Sequence, residues 1–425
     1  MELDSTLTPD TQTVLLLCGE LGRRSGNGPK PLGLRQYNNL AAWLKTEGLR
    51  PGDLLTSEGR SKLGRLQTSE IDDGRVAPLL DRGAALALIV ERWERSNLWV
   101  ISRSDPFYSQ RLKRYLGQSA PPLLYGIGPK DLLNRGGLAV VGSRDRSDED
   151  GVYARSAGEQ CAKQEILLIS GGAKGIDKDA MDGALDAGGW ALGVLAEGLA
   201  KTATSGQYRS GLMNDRLTLV SQFDPDLRWL VYNAMDRNKL LYGLSDAALV
   251  VASAADTGGT WAGAIEALKL GRIKVFVKSS GTSAPGNSKL IAKGGIPFPA
   301  APWDNLQSIF AGGQEEAQEI AATALPLTGA ETEQKILPPE VASVSLRPTA
   351  SQPEGKLMLD AYTLVIDAIH RSLQEPMTEK LLTAEMNVRA PQMKDWLARA
   401  VADGRIEKLK NPVRYIAANP SLFAN

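Results

Sequence analysis

One short turn gathers a serine, three glycines and a lysine: Ser170-Gly171-Gly172-Ala173-Lys174-Gly175-Ile176-Asp177. The apolar run Ile166–Ile169 precedes it, and a helical pattern opens near Lys178. A glycine-rich passage from strand to helix lets backbone N–H groups close on an anion. The helix N-terminus adds partial positive charge, and Lys174 adds a full one. The spacing therefore predicts a phosphate cradle, with a ligandless tight turn as the plain alternative. Asp177 stands where a helix cap belongs and is expected to cap, since a carboxylate facing phosphate would repel it.

Three further segments have the same character. Gly142-Ser143-Arg144 directly follows the apolar run Leu138–Val141 and combines close backbone approach, a hydroxyl and a guanidinium fork. Asp236-Arg237-Asn238-Lys239 adds two cations and an amide, which are either ligand contacts or the solvated start of a helix. Asp256-Thr257-Gly258-Gly259-Thr260 opens another helical stretch and is a second backbone anion site. Pro285-Gly286-Asn287-Ser288-Lys289 supplies one more turn. The residues expected to touch phosphate are Gly142, Ser143, Arg144, Ser170, Gly171, Lys174, Gly175, Arg237, Asn238, Lys239, Gly258, Gly259 and Thr260. A mononucleotide needs one or two such loops, whereas a row of them suits the backbone of single-stranded nucleic acid.

These loops need a scaffold that presents them together. Strand candidates Leu138–Val141, Ile166–Ile169, Trp190–Leu195, Leu217–Val220, Ala247–Ala252 and Ile273–Val277 alternate with helical stretches at Gly151–Lys163, Lys178–Ala187 and Thr260–Leu270. Such alternation predicts an α/β fold whose parallel sheet is covered on both faces, with ligands beyond the carboxyl ends of the strands. Residues 1–135 read as a mostly helical region that carries no obvious chemistry, with a short strand at Trp99–Ile101. Residues 136–311 form the binding core. Residues 312–356, rich in Glu, Gln, Ala, Thr, Pro and Ser, read as a flexible linker. In residues 357–425, three helical patterns and two short strands around Lys410-Asn411-Pro412 predict a winged helix-turn-helix. The third pattern has Met393, Trp396, Leu397, Ala400 and Val401 on one face.

Composition excludes several chemistries. The 425 residues allow about two to four domains. Lys plus Arg and Asp plus Glu both number 49, so any attraction for a polyanion must be local. Two cysteines, Cys18 and Cys161, and one histidine, His370, leave no disulfide framework, no zinc site and no histidine-based triad. No P-loop signature and no paired carboxylates stand out, so no catalytic residue, cofactor or metal is assigned. Nothing reads as a leader or a membrane span, and a cytoplasmic location is expected.

Four blocks in order resemble the DNA-processing protein A family, also called DprA or Smf. They are Leu138–Arg144, Ser170–Asp177 with Gly183-Ala184-Leu185, Arg237–Ser245, and Gly286-Asn287 with Leu290, Ile291 and Gly294. The segment Tyr108–Gly126 is similar to the family's lead-in. The resemblance implies a Rossmann-like core that binds single-stranded DNA, a homodimer, and a role in protecting DNA and loading the recombinase RecA during natural transformation. It carries DNA contact onto the residues named above from Gly142 to Lys239. The chain departs from the family at Met181, where a histidine is usual, and at Lys201–Gly206, Lys278–Ser280 and Gly258-Gly259-Thr260. The competing expectation is a Rossmann-like sensor or a phosphoribohydrolase-like enzyme for a nucleotide derivative. Its signature would be Gly258-Gly259-Thr260 with Glu266, but Gly263 occupies the place nearest the expected glutamate.

Overall fold

Each apolar run singled out between Leu138 and Val277 forms a strand, because side chains alternate between two buried faces. Leu138 and Val140 enter one core, and Ala139 and Val141 the other. The computed structural model describes residues 7–21, 29–68, 70–202, 206–227, 231–282 and 284–312. Of the C-terminal part it describes 366, 369, 372–373, 375–386, 390–409 and 413–417. The expected linker beyond residue 312, His370 and the Lys410–Pro412 turn lie outside the described residues. The chain divides into two units, Met1–Leu327 and Thr328–Asn425.

The first unit is built on a nine-stranded sheet: β1 (Trp99–Ser102), β2 (Leu123–Ile127), β3 (Leu138–Gly142), β4 (Leu168–Ser170), β5 (Ala191–Val194), β6 (Leu217–Ser221), β7 (Ala247–Ala252), β8 (Lys274–Lys278) and β9 (Ile296–Phe298). Their order is β1-β2-β6-β5-β4-β3-β7-β8-β9. The seven strands from β6 to β9 in that order run parallel, and β2 and β1 extend the sheet antiparallel at one end. An all-parallel sheet confined to residues beyond 136 is therefore corrected. Two strands precede that boundary, and Tyr125 pairs with Ser221 across the antiparallel join. Strand order reverses at β3, with β4, β5 and β6 on one side and β7, β8 and β9 on the other. That is the topological switch at which open α/β sheets bind ligands.

Helices α1 (Pro9–Cys18), α2 (Leu34–Thr46), α3 (Asp73–Leu80) and α4 (Gly83–Glu94) bury their apolar faces in the same core as α6 (Asp148–Lys163) and α7 (Ile176–Asp186). The opposite face of the sheet is covered by α5 (Gln110–Leu116), α8 (Val231–Leu244), α9 (Gly258–Leu270) and α10 (Pro285–Ala292). Both cores are dominated by Leu, Val, Ile and Ala, which pack without unpaired polar atoms.

In the second unit, α11 (Glu379–Glu385) and α12 (Ala390–Ala402) precede a hairpin of β10 (Ile406–Leu409) and β11 (Arg414–Ala417). Met377 pairs with Tyr415 in both directions, at 2.9 and 2.7 Å, and so tethers the start of α11 to the hairpin. Met393, Trp396, Leu397 and Ala400 are buried with Ile406 and Tyr415, the face that the helical spacing predicts.

One polar side chain fixes the carboxyl ends of two strands. Asn287 is fully buried at the head of α10. Its Oδ1 accepts the Ser253 N–H at 3.0 Å, and its Nδ2 donates to the carbonyls of Val251 at 2.9 Å and Lys278 at 3.0 Å. The turn Pro285–Lys289, read from sequence as one more binding turn, is thus a clamp on β7 and β8. Asn287→Ala removes three buried bonds and is expected to cost about 3 kcal/mol, read as a lowered urea midpoint with an unchanged slope.

Candidate nucleic-acid interface

The loops after β3 and β4 meet on a single carboxylate. Asp177 lies inside the first turn of α7, and Gly175, at φ 84°, takes the cap position. The buried Asp177 carboxylate has the backbone N–H groups of Gly142, Gly171 and Ala173 nearby, which favour its charge, and faces Arg237 NH1 at 3.7 Å. Burial raises its pKa, against the pull of Arg237 and the three amides. The capping role read from sequence is corrected: Asp177 serves the two preceding loops, while its own helix starts at a glycine.

Arg237 is corrected as well. It was expected to meet phosphate from a loop, but it sits in the middle of α8 on the inward side, 7 % exposed. Its NH1 donates to the Val194 carbonyl at 3.1 Å, and its Nε has no partner among the described residues. Burial lowers its pKa, Asp177 opposes that shift, and the nearby positive charge of Arg144 adds to it. Its helical neighbours give the sequence signal for this placement. Leu240 and Leu241, three and four positions on, and Asn233, four positions back, are all buried and mark the inward stripe.

Other predicted contacts also turn inward. Ser170 is the last residue of β4, and its buried hydroxyl donates to the Val140 carbonyl at 2.7 Å. The backbone N–H groups of Gly142 and Gly171 lie near the Asp177 carboxylate. Asn238 Nδ2 donates to the Gly259 carbonyl at 3.0 Å, stitching α8 to the first turn of α9. Lys239 is partly exposed and faces Asp236 at 3.3 Å and Glu266 at 3.9 Å. Lys278, in the block where the chain departs from the family, is a buried pin: its ammonium meets Asp150 at 2.7 Å and the Thr282 carbonyl at 3.3 Å.

What remains on the surface is compact. Arg144 and Lys174 are exposed, Gly258 and Gly259 are exposed, and Ser143 and Thr260 are half-buried. The loops carrying the two cations touch, for a side chain at Gly175 would sit 2.6 Å from the Arg144 carbonyl. The Ser143 N–H reaches the Ala252 carbonyl at 2.9 Å, which joins them to the end of β7, where the chain leads into α9.

The helix ends along this rim differ in charge. The first turn of α6 holds Asp148, Glu149 and Asp150 under a Ser147 cap, and that of α7 holds Asp177 and Asp179. These carboxylates complement the helix dipoles from within the protein. Thirteen-residue α9 has no acid in its first turn, and Thr257 at its cap makes no side-chain bond. Its leading N–H groups, lined by two exposed glycines, are open to an external anion.

Among the described residues no group of three His, Cys, Asp or Glu could hold a metal. Burial pushes the thiols of Cys18 and Cys161 up to about 12, so both stay protonated at neutral pH. No helix among the described residues is long and apolar enough to cross a membrane.

A doubly wound, mostly parallel sheet with exposed cations and a helix start beyond its switch point defines an α/β protein. Residues 99–301, a little under half of the chain, match the family described as DNA recombination-mediator protein A. Protein Smf of Escherichia coli (strain K12) is 33 % identical over 208 residues, covering 48 % of this chain and 54 % of that protein. DNA processing protein DprA of Streptococcus pneumoniae is 35 % identical over 133 residues, covering 31 % and 46 %. The chain thus spans about half the length of the curated relatives it matches. The X-ray structure of Streptococcus pneumoniae DprA aligns with 67 % of this chain and 99 % of its own, at 23 % identity and a TM-score of 0.45.

The Asp177–Arg237 contact leaves no room beside Gly171, where a methyl group would collide with both side chains. Gly171→Ala is expected to destabilise the protein by about 2 kcal/mol or more, seen as a lower melting temperature. Gly259→Ala, with open space around it, is expected to be neutral or mildly stabilising in the same assay.

Proposed function

We propose that this protein binds single-stranded DNA along the carboxyl rim of its sheet, as a non-catalytic DNA-processing protein. Arg144 and Lys174 supply point charges, and the open N-terminus of α9 at Gly258-Gly259-Thr260 supplies backbone N–H groups. The observation that carries this reading is the placement of that open helix end beside two exposed cations, when the neighbouring helices are closed by their own acids. Such contacts address phosphates, so affinity is expected to be strong in low salt and nearly independent of sequence. The family description, a recombination mediator, supports the same substrate class.

The finer parts of the reading follow from the resemblance. The second unit is a winged helix, with Lys394 and Arg399 on α12 and Lys408 and Arg414 on the hairpin all exposed, and it adds a second contact to DNA or to a protein partner. The whole chain acts in the cytoplasm as a homodimer that protects incoming strands and loads RecA.

Fluorescence anisotropy with a labelled oligo-dT across a salt series tests the core of this proposal. Arg144→Ala and Lys174→Ala are each expected to weaken binding several-fold at all sequences. Each should also flatten the plot of log K against log salt by roughly 0.7, the share of one phosphate contact on a single strand. Tight binding of a free nucleotide with no oligonucleotide affinity at low salt would reject the proposal. Arg237→Ala is expected to lower stability together with binding, because it acts through Asp177 and the loops.

A further inference from the structure

Residues 253–257, which join β7 to α9, include one acid, Asp256. It comes directly before Thr257, the cap residue of α9, and is exposed. Its φ of 60° lies in the left-handed region, which aspartate adopts more readily than most residues. A carboxylate in this place has a natural partner close by in its own chain. The first N–H groups of α9 follow within a few residues, Thr257 makes no side-chain bond to them, and an acid near a helix start is favourable. The first turns of α6 and α7 are filled by acids in that way.

Asp256 turns elsewhere. Among the described residues its carboxylate has one hydrogen-bond partner, the Nζ of Lys289 on α10. The head of that helix places the lysine. Asn287 clamps the ends of β7 and β8, and the Gly286 N–H donates to the Ser253 carbonyl at 2.9 Å. A side chain at Gly286 would sit 2.3 Å from the Ala254 carbonyl, so the helix start and the loop are in direct contact. Lys289 stands two residues beyond Asn287 and reaches from this fixed base to Asp256. Both side chains are about half exposed, and an exposed pair of this kind adds little to stability. Its consequence lies in where it puts the charge: the one acid of the loop is drawn toward α10 and offset there.

We propose that Lys289 is a positioning residue for DNA binding. It holds Asp256 off the first turn of α9 and offsets its charge, so that phosphate meets Gly258-Gly259-Thr260 without a competing carboxylate. The proposal rests on the DNA reading and adds a control to it. When the lysine loses its charge, Asp256 becomes the anion of its own loop and opposes the strand.

Fluorescence anisotropy of the full chain with labelled oligo-dT at low salt tests this. Lys289→Met removes the charge and is expected to weaken binding about threefold, the effect of one unit charge at about 6 Å in water. Lys289→Arg keeps the pair and should bind like the parent. Asp256→Asn, whose amide tolerates the same backbone conformation, should bind at least as tightly as the parent. In that background Lys289→Met should cost no further affinity, because the carboxylate through which the lysine acts is gone. All of these variants should melt within about two degrees of the parent. An equal loss from Lys289→Met in both backgrounds would make the lysine a phosphate contact in its own right and overturn the proposal. Parental binding by Lys289→Met, while Arg144→Ala weakens binding, would overturn it and leave the DNA reading standing. Parental binding by Arg144→Ala as well would end both.

Discussion

A buried carboxylate with three backbone amides and one guanidinium around it fixes the upper surface of this sheet. Asp177 reaches back from α7 to the loops after β3 and β4, and Arg237 closes the group from α8 below. Taking both charges out of water is costly, and an ion pair alone recovers little of that cost. The nearby backbone N–H groups offset part of that cost, because their dipoles favour the charged carboxylate. Position is the product: this centre and the Ile176 N–H bond to the Ser143 carbonyl at 3.3 Å hold the two loops in a fixed relation to each other.

The rim therefore divides its cations by depth. Arg237 and Lys278 are buried and hold elements together, one under the β4 loop and one between β8 and the first turn of α6. Arg144 and Lys174 stand outside them. A basic residue in a family motif is easily read as a ligand contact, yet here the inner pair does structural work that the outer pair depends on. Asn238 and Asn287 extend the same logic, each tying a helix start to the loop or strand end beside it.

The sheet was largely legible in the sequence, because runs such as Leu138–Val141 and Ala247–Ala252 are apolar throughout, as strands covered on both faces must be. The antiparallel extension was not. Leu123–Ile127 reads as an apolar block after two prolines, and only its pairing with β6 makes it a strand. The turns after β3 and β4 lie where the sequence puts them, but Asp236–Lys239 is inside α8 and several side chains point another way than expected. Ser170 looked like part of the turn because one residue decides whether its hydroxyl faces a ligand or Val140. Arg237 looked like a loop cation because the start of α8 carries no cap signal, and the phase of the helix rather than its composition turns that residue inward. Asp177 was assigned the common job of its position, and its long-range partners are visible only in the fold.

The acids in the first turns of α6 and α7 have a consequence for turnover. The starts of α6 and α7, which border the rim, are already neutralised from within. A polyanion lying there would be gripped at a few separated points rather than along its length, and each point could let go before its neighbours. If the rim binds a polyanion as proposed, such separated contacts would favour exchange over storage.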